Sequence, residues 1–427
     1  MKTVLIITYY WPPSGGSGVQ RWMKFANYLE DEGWHPVILT PENPQFVVKD
    51  DSLEQEVNEN IEVLRIPIWE PYQLFEKAGG NPNVSQGNTS GSVSSIAKFI
   101  RGNFFLPDPR VFWRKPAVRF LKDYLKSRRV DFIVTTGPPH SIHLIGLSLK
   151  GKFNIPWLAD FRDPWSDWDM LDEFHTSALA RSYHRKMERK VAGKADILLT
   201  VSPSWAETLH KRYDRQVEVI TNGFDTADFS NVTDTGPDNF SLAHFGLINQ
   251  FRHAPAFWEA LEQLQLLNPE IHDLLKIDLY GVMDPEIHTF IESWDKSGEQ
   301  VTIHGSISHK EVIESYRKCT VVLMFMNKSS NAKGHIPGKL FEYLSAGKPI
   351  LAIGDPEGDA ATIIRDTGAG VVLRWDDTEG ICGILNEWYL EYKKTGSLPG
   401  PDRNVINRYS RKELTTRLAS LMNKHAG

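Results

Sequence analysis

Three groups of residues in this chain have the types and spacing to hold a charged ligand. The first is Pro337-Gly338-Lys339-Leu340-Phe341-Glu342, continuing through Tyr343-Leu344-Ser345-Ala346 to Gly347-Lys348-Pro349. Pro at its start, then Gly and Pro at its end, confine a helix to about two turns. Leu340, Phe341 and Leu344 take the buried face, which leaves Lys339 and Glu342 on the loop-facing side. An ammonium beside free helix-start N–H groups suits a diphosphate, and the carboxylate suits sugar or ribose hydroxyls. A solvated surface pair would have the same spacing.

The second group is Gly15, Gly16 and Gly18, between an apolar run and a helical repeat. Glycines there let backbone N–H groups approach an anion at a helix start, although a tight turn alone needs them too. The third is Phe245-Gly246-Leu247 followed by Arg252-His253, a glycine at a strand end with a cation six residues on, a weak phosphate clamp by itself. Two look-alikes fail. Arg21 occupies the third glycine position of a dinucleotide fingerprint, and Gly334–Leu340 has one spacer too few for a P-loop and Leu340 where Ser/Thr belongs. Asp167-Trp168-Asp169 has the spacing of a metal-binding pair, but its setting after Asp163-Pro164 reads as a turn. No metal site is expected.

These residues must be held by alternating strands and helices. Val4–Thr8, Val37–Leu39, Phe132–Thr135, Trp157–Asp160, Ile197–Val201 and Val217–Ile220 are short apolar runs separated by helical stretches. A second series follows at Leu242–Gly246, Lys276–Tyr280, Val301–His304, Val321–Phe325, Pro349–Ile353 and Gly370–Leu373. That alternation predicts parallel sheets covered on both faces. The fold class is therefore α/β, as two doubly wound, Rossmann-like domains in series. Residues 1–221 form the first domain, 222–239 the linker and 240–410 the second.

A chain of 427 residues with 41% apolar and 24% charged residues has material for two cores. Its net charge of −6 argues against a nucleic-acid partner. Two cysteines, Cys319 and Cys382, cannot build a disulfide framework or a four-ligand zinc site, so a cytoplasmic location is expected. The opening apolar run is too short for a signal peptide, and no stretch approaches a membrane span. Residues 78–95, rich in Gly, Ser and Asn, read as a surface loop. Residues 98–129 carry ten Lys/Arg against two Asp, interleaved with Phe99, Ile100, Phe104, Phe105, Leu106, Phe112 and Trp113. Such a segment either packs its aromatics inward or lies on an anionic membrane, peripherally at the inner face.

Taken together, the Gly-rich first loop, Val219-Ile220-Thr221-Asn222-Gly223-Phe224-Asp225, Val301–Ser306 and the Lys339–Pro349 block resemble the family-four retaining glycosyltransferases of the GT-B fold. Asp160-Phe161-Arg162-Asp163-Pro164-Trp165 is similar to that family's N-domain acidic segment. The resemblance implies two Rossmann-like domains facing a cleft, an acceptor held mainly by the first and a nucleotide-sugar donor by the second. It implies a last helix near Arg411–Met422 crossing back onto the first domain (411–427). Transfer would proceed with retention, needing no cofactor or tightly bound metal, onto a glycan or lipid-linked glycan. Gly15, Gly16, Gly246, Arg252, His335, Lys339, Leu340 and Glu342 would bind the donor. Arg252 and Lys339 would stabilise the departing diphosphate, and Glu342 the ribose. Gly334 stands where the family's first paired glutamate falls, and His335 beside it would substitute. Leu247 stands where the family has an arginine, leaving Arg252 as the cation there. His140, Arg162 and Asp163 would serve the acceptor, with His140 or Asp163 in the catalytic place of a displaced family histidine. His140 reads equally as a packed, satisfied histidine.

Two other functions fit the same residues. One is a nucleotide-sugar epimerase or hydrolase on this scaffold, which would have no use for 98–129. The other is a non-catalytic sugar-nucleotide-binding partner, given weight by Gly334.

Overall fold

The computed structural model describes residues 1–46, 48–71, 95–229, 239–329 and 331–426. Positions 78–94 of the Gly/Ser/Asn-rich stretch and 230–238 of the expected linker lie outside the described residues. The chain divides into two units, Met1–Asn222 with Arg411–Gly427, and Gly223–Ser410.

The first unit is built on seven parallel strands, β1 (Lys2–Ile7), β2 (Trp34–Pro41), β3 (Glu62–Ile66), β4 (Phe132–Gly137), β5 (Trp157–Phe161), β6 (Ile197–Thr200) and β7 (Val217–Val219). Their order is β3-β2-β1-β4-β5-β6-β7. Val4, Leu5, Ile6 and Ile7 are all wholly buried, as a central strand covered on both faces must be. α1 (Ser17–Leu29) covers one face, joined by α13 (Arg411–Asn423). Val19, Trp22, Met23 and Leu29 there meet Leu414, Leu418 and Met422. The opposite face is covered by α3 (Arg114–Ser127), α4 (His143–Lys150), α5 (Ala178–Lys194) and α6 (Pro203–Tyr213). α2 (Ser95–Phe104) lies against the start of α5, where Asn103 donates to the carbonyl of His175 and accepts from the N–H of Ser177.

The second unit has six parallel strands, β8 (Phe240–Phe245), β9 (Leu275–Tyr280), β10 (Val301–Gly305), β11 (Val321–Phe325), β12 (Ile350–Ile353) and β13 (Gly370–Leu373). They run in the order β10-β9-β8-β11-β12-β13. α7 (Pro255–Leu267), α8 (Pro285–Trp294) and α12 (Thr378–Thr395) pack on one face. α9 (His309–Tyr316), α10 (Gly338–Ala346) and α11 (Asp359–Asp366) pack on the other.

In each sheet the strand order reverses beside the first strand, between β1 and β4 and between β8 and β11. Loops leaving the carboxyl ends at such a reversal diverge to opposite faces and open a crevice for ligands.

Candidate active site

In the second unit this crevice is bordered by the loop after β8, the segment after β11 and the start of α10. α10 begins after Pro337, whose ψ of 135° is not helical, and ends at Gly347 with φ 73°. Only glycine adopts that left-handed cap cheaply, and Pro349 prevents continuation. Leu340, Phe341, Tyr343 and Leu344 are buried on the core side.

Lys339 is not the solvated cation that the helix spacing alone allows. Its stem lies against Gly246, where a built Cβ would meet Lys339 Cε at 3.6 Å and His244 Nε2 at 3.8 Å. Gly246 has φ 142°, a conformation suited to glycine. Arg252 is fixed by donating from Nε to Asn327 Oδ1 at 2.7 Å and from Nη1 to the Leu247 carbonyl at 3.2 Å. Burial draws Lys339 below its ordinary pKa; Glu342 opposes that shift and Arg252 adds to it. Arg252 is itself lowered by burial. Two cations share a partly dehydrated space, an arrangement that favours a multiply charged anion.

Glu342 accepts from the Tyr316 hydroxyl at 2.5 Å through Oε2, while His309 Nε2 stands 3.9 Å from Oε1. His335 follows the 3-10 turn Ala332–Gly334. Its Nδ1 is buried with no hydrogen-bond partner among the described residues. Burial, reinforced by Arg252, lowers His335 to about 4. Leu340 is wholly buried, and its N–H already donates to the Pro337 carbonyl at 3.0 Å. It shapes α10 from within and offers no free group to a ligand here.

In the first unit, Gly16 is the N-cap residue of α1 at φ 84°, with no side-chain cap for the helix's first N–H groups. Gly15 donates to the Val48 carbonyl at 2.9 Å, and a Cβ there would strike Val48 Cγ1 at 2.8 Å. Arg21, the residue that spoils a dinucleotide fingerprint, is wholly buried against Asp160 at 3.2 Å. Asp160 also accepts from Trp22 Nε1 at 2.6 Å and Thr136 Oγ1 at 3.1 Å. Arg162 donates to the carbonyls of Gly18 at 2.5 Å, Pro138 at 2.8 Å and Gly137 at 3.3 Å, binding the loops after β1 and β4 together. Every one of those bonds goes to backbone, so in this structure Arg162 organises the loops.

His140 is buried and stacks on Trp165, with ring centroids 5.1 Å apart and planes 4° from parallel. Burial, with His143 and His184 nearby, holds it well below the ordinary histidine range, and its Nδ1 has no partner among the described residues. Burial raises the Asp163 carboxyl, with Arg162 opposing and Asp160 adding to the shift. The structure thus brings Gly246, Arg252, Lys339, His335 and Glu342 together in the second unit. It brings Arg162, Asp163 and His140 together in the first, with Arg162 bonded to Gly18, two residues beyond Gly16. Asp167 accepts a bidentate contact from Arg212 at 2.6 and 2.8 Å, and no metal-binding cluster occurs among the described residues.

Three contributors escape a reading of the sequence. Asn327 and Tyr316 position Arg252 and Glu342 from distant parts of the chain, and nothing in their local sequence marks them. His244 does leave a mark: a titratable residue inside the buried strand Phe240–Phe245 is unusual, and such residues gather at functional sites.

Residues 16–228 match the family model described as Glycosyltransferase Family 4. No curated protein matches the chain in sequence. Among solved structures, sucrose-phosphate synthase from Thermosynechococcus elongatus is similar at 15% identity and TM-score 0.61, over 100% of this chain and 99% of that one. HepE of Anabaena, in complex with UDP-glucose, is similar at 14% identity and TM-score 0.62, over 99% and 100%. The N-terminal domain of Candida albicans trehalose-6-phosphate phosphatase is similar at 13% identity and TM-score 0.65, over 100% and 97%. At such identities the likeness is one of fold: two doubly wound parallel units in series, the GT-B architecture. Through the match over its first unit the chain belongs to Glycosyltransferase Family 4, enzymes that take a sugar from a nucleotide-sugar.

Proposed function

We propose that this chain moves a sugar from a nucleotide-sugar to a glycan or lipid-linked glycan acceptor with retention of anomeric configuration. The observation that carries the reading is the pair Arg252 and Lys339, lowered in pKa by burial at the strand-order reversal of the second sheet. As the anomeric C–O bond breaks, the diphosphate keeps the electron pair, and preorganised cations stabilise the charge that develops. The acceptor hydroxyl attacks from the same face and passes its proton to the departing phosphate oxygen. No protein nucleophile and no metal are then required, and Glu342 holds ribose hydroxyls. In the first unit, Gly16 offers the bare start of α1 to an anion, while Arg162, Asp163 and His140 border the acceptor.

An anionic membrane fits as the place where a lipid-linked acceptor is met. Phe104 is 72% exposed, and Trp69 and Phe112 pair edge-on at 4.9 Å with both rings partly exposed. Leu179, at the start of α5, is 82% exposed. Beyond it α5 exposes Arg185, Lys186, Arg189, Lys190 and Lys194, while its acidic Glu188 is buried. Lys152, just after α4, and Lys126 of α3 crowd Lys122 of α3 and lower its pKa, a repulsion that an anionic surface would relieve.

The test is a panel of UDP-, GDP-, ADP- and dTDP-sugars incubated with the protein, with and without EDTA, following free nucleotide by chromatography. Nucleotide release from one donor, unaffected by EDTA and lost in Lys339→Ala, supports the reading, and product analysis fixes the anomeric outcome. An isomeric nucleotide-sugar would replace transfer with epimerisation. Binding without turnover under every acceptor would replace it with a non-catalytic role.

A further inference from the structure

His244 lies at the end of β8, 3% exposed, two residues before Gly246. Its Nδ1 is 3.1 Å from the carbonyl oxygen of Leu323 on β11. A carbonyl oxygen only accepts, so Nδ1 carries the proton and Nε2 of the neutral ring carries a lone pair. That Nε2 is buried and has no partner among the described residues. It points to the space above Gly246, whose other wall is the Lys339 stem. A bare acceptor kept out of water is costly unless something donates to it.

The charged groups facing His244 decide what that donor is. Lys339 from α10 and Arg252 from the loop after β8 are both cations. Phe325 supplies an uncharged ring 4.9 Å away, and Tyr343 of α10 has its hydroxyl within 3.3 Å of the neighbouring Phe245 N–H. Flanked this way, the imidazole stays unprotonated, and burial with the two cations lowers it to about 3. A lone pair repels a phosphate oxygen but accepts well from a hydroxyl. Gly334 carries no side chain beside His335 to receive a sugar hydroxyl.

We propose that His244 Nε2 accepts a hydrogen bond from a hydroxyl of the transferred sugar, making His244 a specificity-determining residue for the donor. The inference rests on the donor-site reading given above. It adds that the sugar needs a free hydroxyl where it meets Gly246. A site built to bond a hydroxyl rejects the analogue lacking it far more strongly than an apolar pocket does.

The experiment is calorimetric titration of each nucleotide-sugar beside its own nucleoside diphosphate: UDP-glucose with UDP, GDP-mannose with GDP, and ADP-glucose with ADP. His244→Phe keeps the ring and removes the acceptor; His244→Gln returns an acceptor oxygen close to the Nε2 position. Expected is a loss of about tenfold or more for the nucleotide-sugar in His244→Phe, with the nucleoside diphosphate changed less than about threefold and partial recovery in His244→Gln. Should His244→Phe not fold, His244→Leu and His244→Gln are compared in the same way, with thermal melts verifying each. Equal losses on both ligands would overturn the proposal in favour of a nucleotide contact. Binding enthalpies whose dependence on buffer ionisation disappears in His244→Phe would also overturn it, because they assign proton uptake to His244 and hence give it a phosphate partner. Failure of the unaltered protein to bind any of the six ligands would remove the donor-site reading as well.

Discussion

The hydroxyl of Tyr316, the last residue of α9, lies 2.5 Å from Oε2 of Glu342 on α10. Among the described residues the second carboxylate oxygen, Oε1, has one ion-pair neighbour, His309 Nε2 at 3.9 Å. The bond fixes the carboxylate's orientation and leaves Oε1 for a ligand hydroxyl. Glu342→Ala is therefore expected to raise the donor KM by about ten- to a hundredfold, and Tyr316→Phe by less than about fivefold with kcat retained. Steady-state kinetics on both variants decide this; equal effects would mean that Tyr316 touches the donor itself.

Lys339 and Arg252 are expected to act on turnover more than on ground-state binding. Lys339→Ala should lower kcat by about 10²–10³, the cost of removing one preorganised stabiliser of developing charge. Arg252→Met should do likewise, and it also frees Asn327, its 2.7 Å partner. Single-turnover rates at saturating donor are the measurement. A change confined to KM would move both residues to ground-state binding.

Acid should destabilise the fold in a defined window. Burial lowers His143 to about 3, His184 to about 4 and His244 to about 3. Each is neutral in the folded chain, whereas in the unfolded chain it takes a proton below about 6.5. The stability they contribute is fully present above pH 6.5 and is lost progressively as the pH falls from there to about 4 for His184 and about 3 for His143 and His244. Each adds a slope of about 1.4 kcal/mol per pH unit inside that window. Asp163 and Glu188, raised by burial, oppose this slope as they protonate. Thermal melts between pH 7.5 and 4.5 should show Tm falling below pH 6.5, with a shallower fall in His143→Phe.

Arg21 and Asp160 form an ion pair that is wholly buried. Arg21→Met leaves the Asp160 charge with Trp22 and Thr136 as its donors among the described residues and should cost about 3–5 kcal/mol. The double variant Arg21→Met with Asp160→Asn should be more stable than Arg21→Met alone. Denaturant titrations of the singles and the double provide the cycle.

Sedimentation with vesicles tests the exposed basic and aromatic face. Binding should be clear on phosphatidylglycerol-containing vesicles, weak on phosphatidylcholine, and reduced by salt. Phe104→Ser with Leu179→Ser should weaken binding at every salt concentration, and Lys186→Glu with Lys190→Glu mainly at low salt. Equal binding to neutral vesicles would remove the electrostatic part of this account.

What the sequence reveals here follows burial. Val4–Ile7 and Val321–Phe325 are continuous apolar runs because both faces of a central strand are covered. β3 escapes that reading: Glu62–Ile66 is an edge strand, only half-buried, and Glu62 and Arg65 break its apolar run. α10 is legible from its Pro and Gly boundaries. The burial of Lys339's stem is not, since it depends on Gly246 reaching the same place from another element. The same holds for Arg21 and Asp160, which are 139 residues apart in sequence.

The last helix, α13, completes the core of the unit that contains the first strand. Lys2 Nζ donates to the carbonyl of Ala426 at 3.2 Å, fastening the first residue of β1 to the segment just after α13. The second unit is in effect an insertion within the first. On the ribosome, every strand of the first sheet is made before the helix that shields Trp22 and Val19 exists. The core of the first unit is therefore closed by a helix that follows the whole of the second unit in the chain.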